Sequence, residues 1–242
     1  MWVVAEYRPT ALFSLRPATA TSSGGKSLII PTAFAVKMAL LDALIRTQGV
    51  EKGRALFPML RDLRVAILPP ERVVVNSTFT KILRLKEIKS KASEKSARIA
   101  DAQSAQQWPF QKTIAYREYV QLAGSLKLGF EGATVAELRP LLVQINYLGK
   151  RGGFMQLQTL PMEYRELPEG FTEITASING SFPLGLLQIV DDCGPKLTFD
   201  QASVFSDKGI SLGKDRILHH VVLPYRLASS SRGYTLYERF ET

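Results

Sequence analysis

Cysteine and histidine are nearly absent from this chain of 242 residues, which has one cysteine, Cys193, and two histidines, His219 and His220. A single cysteine excludes an internal disulfide, suits a reducing compartment and leaves no structural zinc site. Adjacent residues of a strand point to opposite faces, so at most one histidine can face a given site. Because no base, metal set or cofactor motif accompanies them, we predict a cytoplasmic protein that has no cofactor and is not an enzyme.

Metal-binding patterns are also scarce. The one cluster of potential ligands joins Asp191 and Asp192 to Cys193, and no histidine lies close to it in sequence. We therefore interpret these residues as a turn rather than as a metal site.

Long hydrophobic runs without charge are missing. The most apolar segment, from Leu28 to Ile45, contains Lys37 and Asp42, and each charge would cost roughly 2.5 to 3.5 kcal/mol at the centre of a bilayer. The first residues include a glutamate and an arginine where a signal peptide needs an unbroken apolar stretch. We expect a buried helix of a soluble protein with no membrane partner.

Positive charge is in excess. Lys and Arg number 31 against 22 Asp and Glu, which gives a formal net charge of +9. Such an excess favours a polyanionic partner, although a basic surface that binds nothing would give the same count.

The spacing of apolar residues predicts an α+β protein. The predicted order is strand, helix, strand, strand, helix, strand, the arrangement of a ferredoxin-like (RRM-like) fold with two split βαβ units. The predicted strands lie in residues 1–15, "RVAIL", "RVVVNSTFTKILRL", "KTIAYREYVQLAG" and "FMQLQTL". The first helix is expected from about Pro31 to Gln48, and a short helical connector follows it.

The second helix is expected to begin at a capping box formed by Thr134 and Glu137 and to end at Gly149. Pro140 clashes with the preceding turn of a helix, so it should either delay the start of this helix or bend it.

Two segments depart from this core pattern. Residues 86–107 are polar, rich in alanine and without an apolar stripe, so they are predicted to leave the core. Residues after 160 give only β-like fragments and turns. We therefore predict a core in residues 1–160, an insertion at about 86–111 and a β-rich C-terminal extension in residues 161–242.

Three basic stretches are candidates for contact with a phosphodiester backbone. The loop "RPATATSSGGKS" has hydroxyls and glycines between two cations, and residues 84–98 carry six cations and two acids, a local net charge of +4. The loop "LGKRGGF" combines glycines, which permit close backbone approach, with two adjacent cations. Each also has a plain structural reading: a surface loop, a solvated charge run, and a helix C-cap at Gly149 followed by a turn.

Taken together, these features resemble the Cas five family of CRISPR Cascade subunits, within the wider RAMP superfamily. The similarity extends over about residues 1–160. It rests on the order of elements, the segment "TSSGGKSLIIPTAFAVKMALLDAL", the strand "YREYV", the basic thumb-like insertion and the loop "LGKRGGF".

The resemblance implies a non-catalytic subunit of a type I complex that caps the 5′ handle of the guide RNA. It also implies contacts with Cas seven type backbone subunits and with the Cascade large subunit, and through the complex with target DNA. The RNA-binding residues that it implies are Arg16, Ser22, Ser23, Lys26, Lys89, Lys91, Lys95, Lys150, Arg151, Gly152 and Gly153.

Two alternatives remain open at this point. A Cas six type endoribonuclease has a similar fold and glycine-rich loop, but such enzymes commonly use a histidine near the first helix, and this sequence has none before His219. A protein that binds other proteins and no RNA is disfavoured by the net charge.

Overall fold

The computed structural model describes residues 1–20, 25–178 and 183–240 and shows a mixed α/β protein with antiparallel sheets. Its strands are β1 (Trp2–Pro9), β2 (Arg64–Leu68), β3 (Arg72–Leu85), β4 (Phe110–Leu122), β5 (Leu126–Glu131), β6 (Met155–Tyr164), β7 (Thr172–Glu173), β8 (Leu186–Cys193), β9 (Arg216–Leu223), β10 (Tyr225–Ser230) and β11 (Tyr234–Arg239). Its helices are α1 (Ala33–Gln48), α2 (Val50–Asp62), α3 (Ala92–Ser104), α4 (Val135–Leu142) and α5 (Phe199–Ala202). None of the helices in the described residues has both the length and the apolarity to span a bilayer.

A five-stranded sheet in the order β6-β1-β5-β2-β7 forms the centre of the fold. Alternate residues of β1, among them Val3 and Tyr7, are fully buried in the main hydrophobic core, to which α1 and α4 also contribute. The Tyr7 hydroxyl donates a hydrogen bond of 2.8 Å to the carbonyl of Leu142, which ties the first strand to the end of α4.

The first helix forms as its sequence predicts. The Thr32 hydroxyl accepts a hydrogen bond from the amide of Ala35, and Gly49 ends the helix at a φ of 86°, a conformation that glycine adopts without strain. The helical connector is confirmed as α2.

The second predicted helix is shorter than expected. Its capping box, Thr134 with Glu137, is confirmed, but α4 ends at Leu142 and not at Gly149. Pro140 lies inside α4 and has no amide to donate to the carbonyl four residues earlier, which weakens this short helix. Ile145 and Leu148 are nevertheless buried. Their spacing therefore correctly indicated burial, although the segment that contains them is not helical.

The assignment of "KTIAYREYVQLAG" to the core sheet is wrong. This segment is a strand, β4, but it pairs with β3 in a second sheet of order β10-β11-β3-β4. The strand that pairs with β1 and β2 in the central sheet is β5, a short segment that the sequence pattern did not distinguish. The polar segment between β3 and β4 contains the helix α3, which was also not predicted.

The elements after residue 160 join both sheets. Strand β7 pairs with β2, β11 pairs with β3, and β8 with β9 forms a two-stranded sheet that packs on α1. The division of the chain at residue 160 stays a prediction.

The predicted turn at Asp191, Asp192 and Cys193 is wrong, because these residues end strand β8. Both carboxylates are buried and paired with cations: Asp191 with Arg216 at 2.5 Å and Asp192 with Lys37 at 2.7 Å. These ion pairs allow two adjacent carboxylates to lie inside a strand.

Candidate nucleic-acid interface

A cavity of about 470 Å³ lies between the N-terminal loop, α1, β4 and the glycine-rich loop. We call it the cationic pocket, because all of its charged lining residues in the described chain are basic: Arg16, Lys26, Arg117, Lys150 and Arg216. The pocket is also lined by apolar and aromatic side chains, namely those of Leu15, Phe34, Ala35, Met38, Ala39 and Tyr147.

The N-terminal loop is fixed in place by the free edge of β4. Phe13 and Val120 exchange two backbone hydrogen bonds of 3.0 and 2.7 Å, and the carbonyl of Gly25 accepts one of 2.8 Å from the amide of Glu118. The approach at Gly25 is so close that a Cβ there would lie 2.2 Å from the carbonyl oxygen of Tyr116. Glycine is therefore required where the loop returns to β4 and forms the pocket wall.

A buried carboxylate, Glu118, organises this wall. It is 5% exposed and accepts hydrogen bonds from the Ser27 amide at 2.8 Å and the Tyr116 hydroxyl at 3.1 Å. It also pairs with the Lys26 ammonium at 2.7 Å, a hydrogen bond that raises the pKa of Lys26. Glu118 thus holds Lys26 at the rim of the pocket while offsetting part of its charge.

Arg216 is held from two sides. Its guanidinium pairs with Asp191 and lies 4.4 Å from the centre of the Phe34 ring, a cation–π contact. Arg16, Arg117 and Lys150 form no ion pair within the described residues. Their positive charge is therefore available to an anionic ligand.

The glycine-rich loop is a tight turn that leads into β6, and the C-cap reading of Gly149 is wrong because α4 ends seven residues earlier. Gly149 and Gly152 have φ values of 72° and 105°. The Gly153 amide donates to the carbonyl of Lys150 at 3.1 Å. This turn carries Lys150 into the pocket lining and leaves Arg151 exposed outside it.

The remaining residues implied by the resemblance lie elsewhere. Gly152 is exposed at the turn, and Gly153 is buried close to Phe13. The thumb cations Lys89, Lys91 and Lys95 are exposed at or near the start of α3 and do not line the pocket. Ser22 and Ser23 lie outside the described residues. The structure thus brings Arg16, Lys26 and Lys150 together and not the whole set.

Among the charged and aromatic residues of the pocket lining, sequence reasoning missed four. Alternation along "KTIAYREYVQLAG" places Arg117 on the same face as Thr113, Tyr119 and Gln121, which was a usable signal. Phe34, Tyr147 and Arg216 gave none, because they reach the pocket only through the packing of α1, the turn before β6 and the start of β9.

His219 has neighbours that its sequence position did not reveal. Its Nδ1 lies 3.3 Å from the Ser177 hydroxyl and its Nε2 lies 4.0 Å from Asp192. Burial lowers the pKa of the imidazole, which favours the neutral form. Since Nε2 is buried and Asp192 is paired with Lys37, this cluster is positioned for packing rather than for contact with a substrate.

No family model matches the chain. A CRISPR-associated protein Cas5 of Archaeoglobus fulgidus is 26% identical to it over 213 residues, which cover 86% of each protein. A crystal structure of a CRISPR protein from Archaeoglobus fulgidus aligns with 99% of this chain and 92% of that one, at 13% identity and a TM-score of 0.47.

The chain is therefore similar to a CRISPR-associated protein over most of its length. More narrowly, the chain is Cas5-like, and the resemblance to the Cas five family is confirmed.

Proposed function

We propose that this protein binds and caps the 5′ handle of a guide RNA as a subunit of a CRISPR Cascade complex. In that complex it links the large subunit to the backbone filament of Cas seven type subunits, in antiviral defence by RNA-guided targeting of DNA in the cytoplasm. The observation that carries the proposal is the cationic pocket. It brings together Arg16 and Lys26 of the N-terminal loop and Lys150 of the distant glycine-rich loop, three residues that the resemblance implies as handle contacts.

The strand order supports the fold that this function implies. Strands β6, β1, β5 and β2 are neighbours in that order, with α1 and α2 between β1 and β2 and α4 between β5 and β6. This is the order of two interleaved split βαβ units, as in a ferredoxin-like RAMP core. The segment β3–α3–β4 then corresponds to the thumb-like insertion.

The chemistry of the pocket suits single-stranded RNA. Its unpaired cations can neutralise phosphates, and its apolar and aromatic lining residues can cover the face of a base that is not stacked in a duplex. Electrostatic contacts to phosphates dominate the affinity of most such interfaces and make it dependent on salt.

Replacing Arg117 and Lys150 together with Ala is expected to weaken RNA binding because both cations line the pocket without an acidic partner. The slope of log affinity against log salt should fall by roughly 0.7 for each phosphate of the single strand that is no longer neutralised. Filter binding of a handle-containing RNA over a salt series measures both effects.

The matched control replaces Lys52 and Arg165 with Ala. These cations are exposed and do not line the pocket, so the control removes the same charge from another surface. Equal loss of affinity in the two variants would mean that net charge, and not the pocket, binds the RNA. A protein that expresses with its neighbouring genes and a CRISPR array yet carries no guide RNA would contradict the proposed function as a whole.

We also propose that the chain does not cleave RNA, and that a Cas six type activity is the weaker alternative. Replacing His219 and His220 with Ala is expected to leave guide-RNA maturation unchanged, because the Nε2 of His219 is buried and the nearby Asp192 is paired with Lys37. Gel analysis of precursor RNA processed by the purified complex tests this. Loss of cleavage in a variant with an unchanged melting temperature would place the chain among the nucleases.

A further inference from the structure

The second half of β6 exposes apolar side chains at one edge of the central sheet. β6 is the outermost strand of this sheet on the side of β1. Along it Leu160 is 64% exposed, Met162 57% and Tyr164 38%. A single exposed apolar side chain is common in soluble proteins, but a cluster of them is typical of a contact surface. We call these three residues the β6 cluster.

Two members of the β6 cluster lie on the sheet face that is turned away from the helices. Met162 is in register with Val4, and Tyr164 is in register with Trp2. The residue between these two partners, Val3, points to the other face, where it is fully buried in the main core with side chains of α1 and α4. Met162 and Tyr164 therefore extend the face opposite to that core.

The chain covers part of this outer face with its own side chains. A Cβ built on Gly129 of β5, which is in register with Val4, would lie 3.1 Å from the Leu167 side chain and 3.4 Å from the Phe171 ring. The segment that follows β6 thus folds back over β5. The β6 cluster stays outside this cover and is exposed to solvent.

The backbone of β6 is unsuited to pairing with a further strand. Pro161 lies within the β6 cluster and has no amide hydrogen, and its carbonyl already accepts a hydrogen bond of 3.2 Å from the Arg139 guanidinium. The register of β6 against β1 also shifts beside Pro161. Such features at a sheet edge prevent the addition of a strand. A partner at this edge must therefore recognise side chains.

The charge beside the β6 cluster is negative, although the whole chain carries a net charge of +9. Residues 160–170 contain three glutamates and one arginine, which gives a local net charge of −2. Glu163, Glu166 and Glu169 are exposed and form no ion pair within the residues that the structure describes. Their negative charge repels the phosphates of RNA and of anionic lipids. The ligand class that suits this surface is a protein with cations beside apolar side chains.

The β6 cluster is well separated from the cationic pocket. The glycine-rich loop, which carries Lys150 into the pocket, leads into Met155 at the start of β6. From Met155 to Met162 the strand extends roughly 20 Å. RNA in the pocket and a protein on the β6 cluster can therefore be bound at the same time.

We propose that the β6 cluster docks a basic protein subunit of the same complex. Apolar side chains of that subunit cover the β6 cluster, and its lysines and arginines pair with Glu163, Glu166 and Glu169. Subunits that bind a common RNA carry an excess of cations for electrostatic reasons, so they suit this surface. This inference rests on the proposed function and adds the surface through which the chain holds a neighbouring subunit.

The test co-expresses the tagged full-length chain with the proteins of its neighbouring genes and a CRISPR array. Replacing Leu160 and Met162 with Ser removes the apolar contact, and replacing Glu163, Glu166 and Glu169 with Lys reverses the charge. Each variant should retain at least roughly tenfold less of one protein subunit. Because the replaced side chains are exposed, both variants should melt at the temperature of the wild type. The isolated Ser variant should bind handle-containing RNA as the wild type does, since its pocket is unchanged.

The matched control replaces Glu51, Glu71 and Asp207 with Lys. These acids are also exposed and lack an ion pair in the part of the chain that the structure describes. The control therefore changes the net charge by the same amount on other surfaces, and it should retain every subunit. Equal losses in the two charge-reversed variants would mean that net charge, and not the surface beside β6, holds the subunit.

A second measurement uses the wild-type complex and needs no substitution. A carbodiimide joins a carboxylate to a lysine amine when the two groups are in contact. It should therefore link the peptide of residues 160–170 to lysines of one other subunit. Links from this peptide to a second copy of the chain, or the absence of links to another subunit, would overturn the proposal.

The outcomes separate this inference from the proposed function. If the wild-type complex carries guide RNA and both β6 variants keep every subunit, the proposed function stands and the docking surface falls. If the Ser variant loses a subunit while the isolated wild-type chain binds no RNA, the docking surface stands and the capping function falls. If the Ser variant loses the subunit and the Lys variant does not, charge does not select the partner and the proposal of a basic partner falls. If the chain assembles with no neighbouring protein, both fall.

Discussion

Replacing Lys37 with Met is expected to destabilise the fold by about 3 to 5 kcal/mol, because it leaves a buried carboxylate without its counter-charge. Lys37 is 1% exposed. Its ammonium lies 2.7 Å from Asp192 and donates a hydrogen bond of 2.8 Å to the carbonyl of Arg61. Burial already raises the pKa of Asp192, so the carboxylate depends on this partner to stay charged. Denaturation in urea, followed by circular dichroism, gives the free energy of unfolding.

The control for this prediction lies on the same helix. Asp42 and Arg46 form an exposed ion pair of 2.8 Å, and replacing Arg46 with Met should cost less than about 1 kcal/mol. Replacing Lys37 with Met and Asp192 with Leu together should recover much of the lost stability, since no buried charge remains. Equal losses in the Lys37 and Arg46 single variants would show that the buried pair does not hold β8 against α1.

The buried pair also shows where sequence reasoning reaches its limit. Lys37 interrupts the most apolar segment of the chain, and the helix α1 that this segment forms does not have both the length and the apolarity to span a bilayer. Its partner Asp192 is 155 residues away. The local sequence "DDC" does not indicate that Asp192 lies inside a strand and forms an ion pair there. Local signals predicted the element, while the charge balance of the core depends on tertiary packing.

The sheet to which β4 belongs was predicted wrongly for a related reason. The alternation in "KTIAYREYVQLAG" correctly predicted a strand, but alternation does not specify which sheet a strand joins. The missed strand β5 has its apolar residues Leu128 and Phe130 buried, yet a six-residue segment gives a weak periodic signal. The pairing of β5 with both β1 and β2 is set by long-range contacts.

Sequence also predicted one part of the candidate site, while the other part depends on tertiary packing. Flexible basic loops can be recognised from glycines and cations alone, and this gave Arg16, Lys26 and Lys150. Their convergence on one pocket depends on the hydrogen bonds that tie the N-terminal loop to β4. Arg216 enters the pocket from a strand near the end of the chain, and only the fold reveals it.

Replacing Gly25 with Ala is expected to weaken RNA binding while the protein stays folded. The new Cβ would lie 2.2 Å from the carbonyl oxygen of Tyr116, and because that atom is backbone, the loop has to move away from β4. The movement breaks the hydrogen bond from the Glu118 amide to Gly25 and pulls Lys26 and Ser27 away from the Glu118 carboxylate. Without these two charge-assisted hydrogen bonds at the pocket rim, affinity should fall roughly tenfold to a hundredfold, as measured by filter binding of handle-containing RNA.

Gly209 provides the matched control, because a Cβ built on it meets no atom within 4 Å. Its replacement with Ala should leave RNA affinity unchanged.

A double variant tests whether Gly25 affects RNA binding through Lys26. If it does, adding Lys26→Ala to Gly25→Ala should cost less affinity than Lys26→Ala costs in the wild type, since residues that act as one unit are not additive. If the two losses simply add, Gly25 and Lys26 contact the RNA independently. Unchanged affinity in Gly25→Ala itself would mean that the close approach of the loop to β4 shapes the fold and not the RNA site.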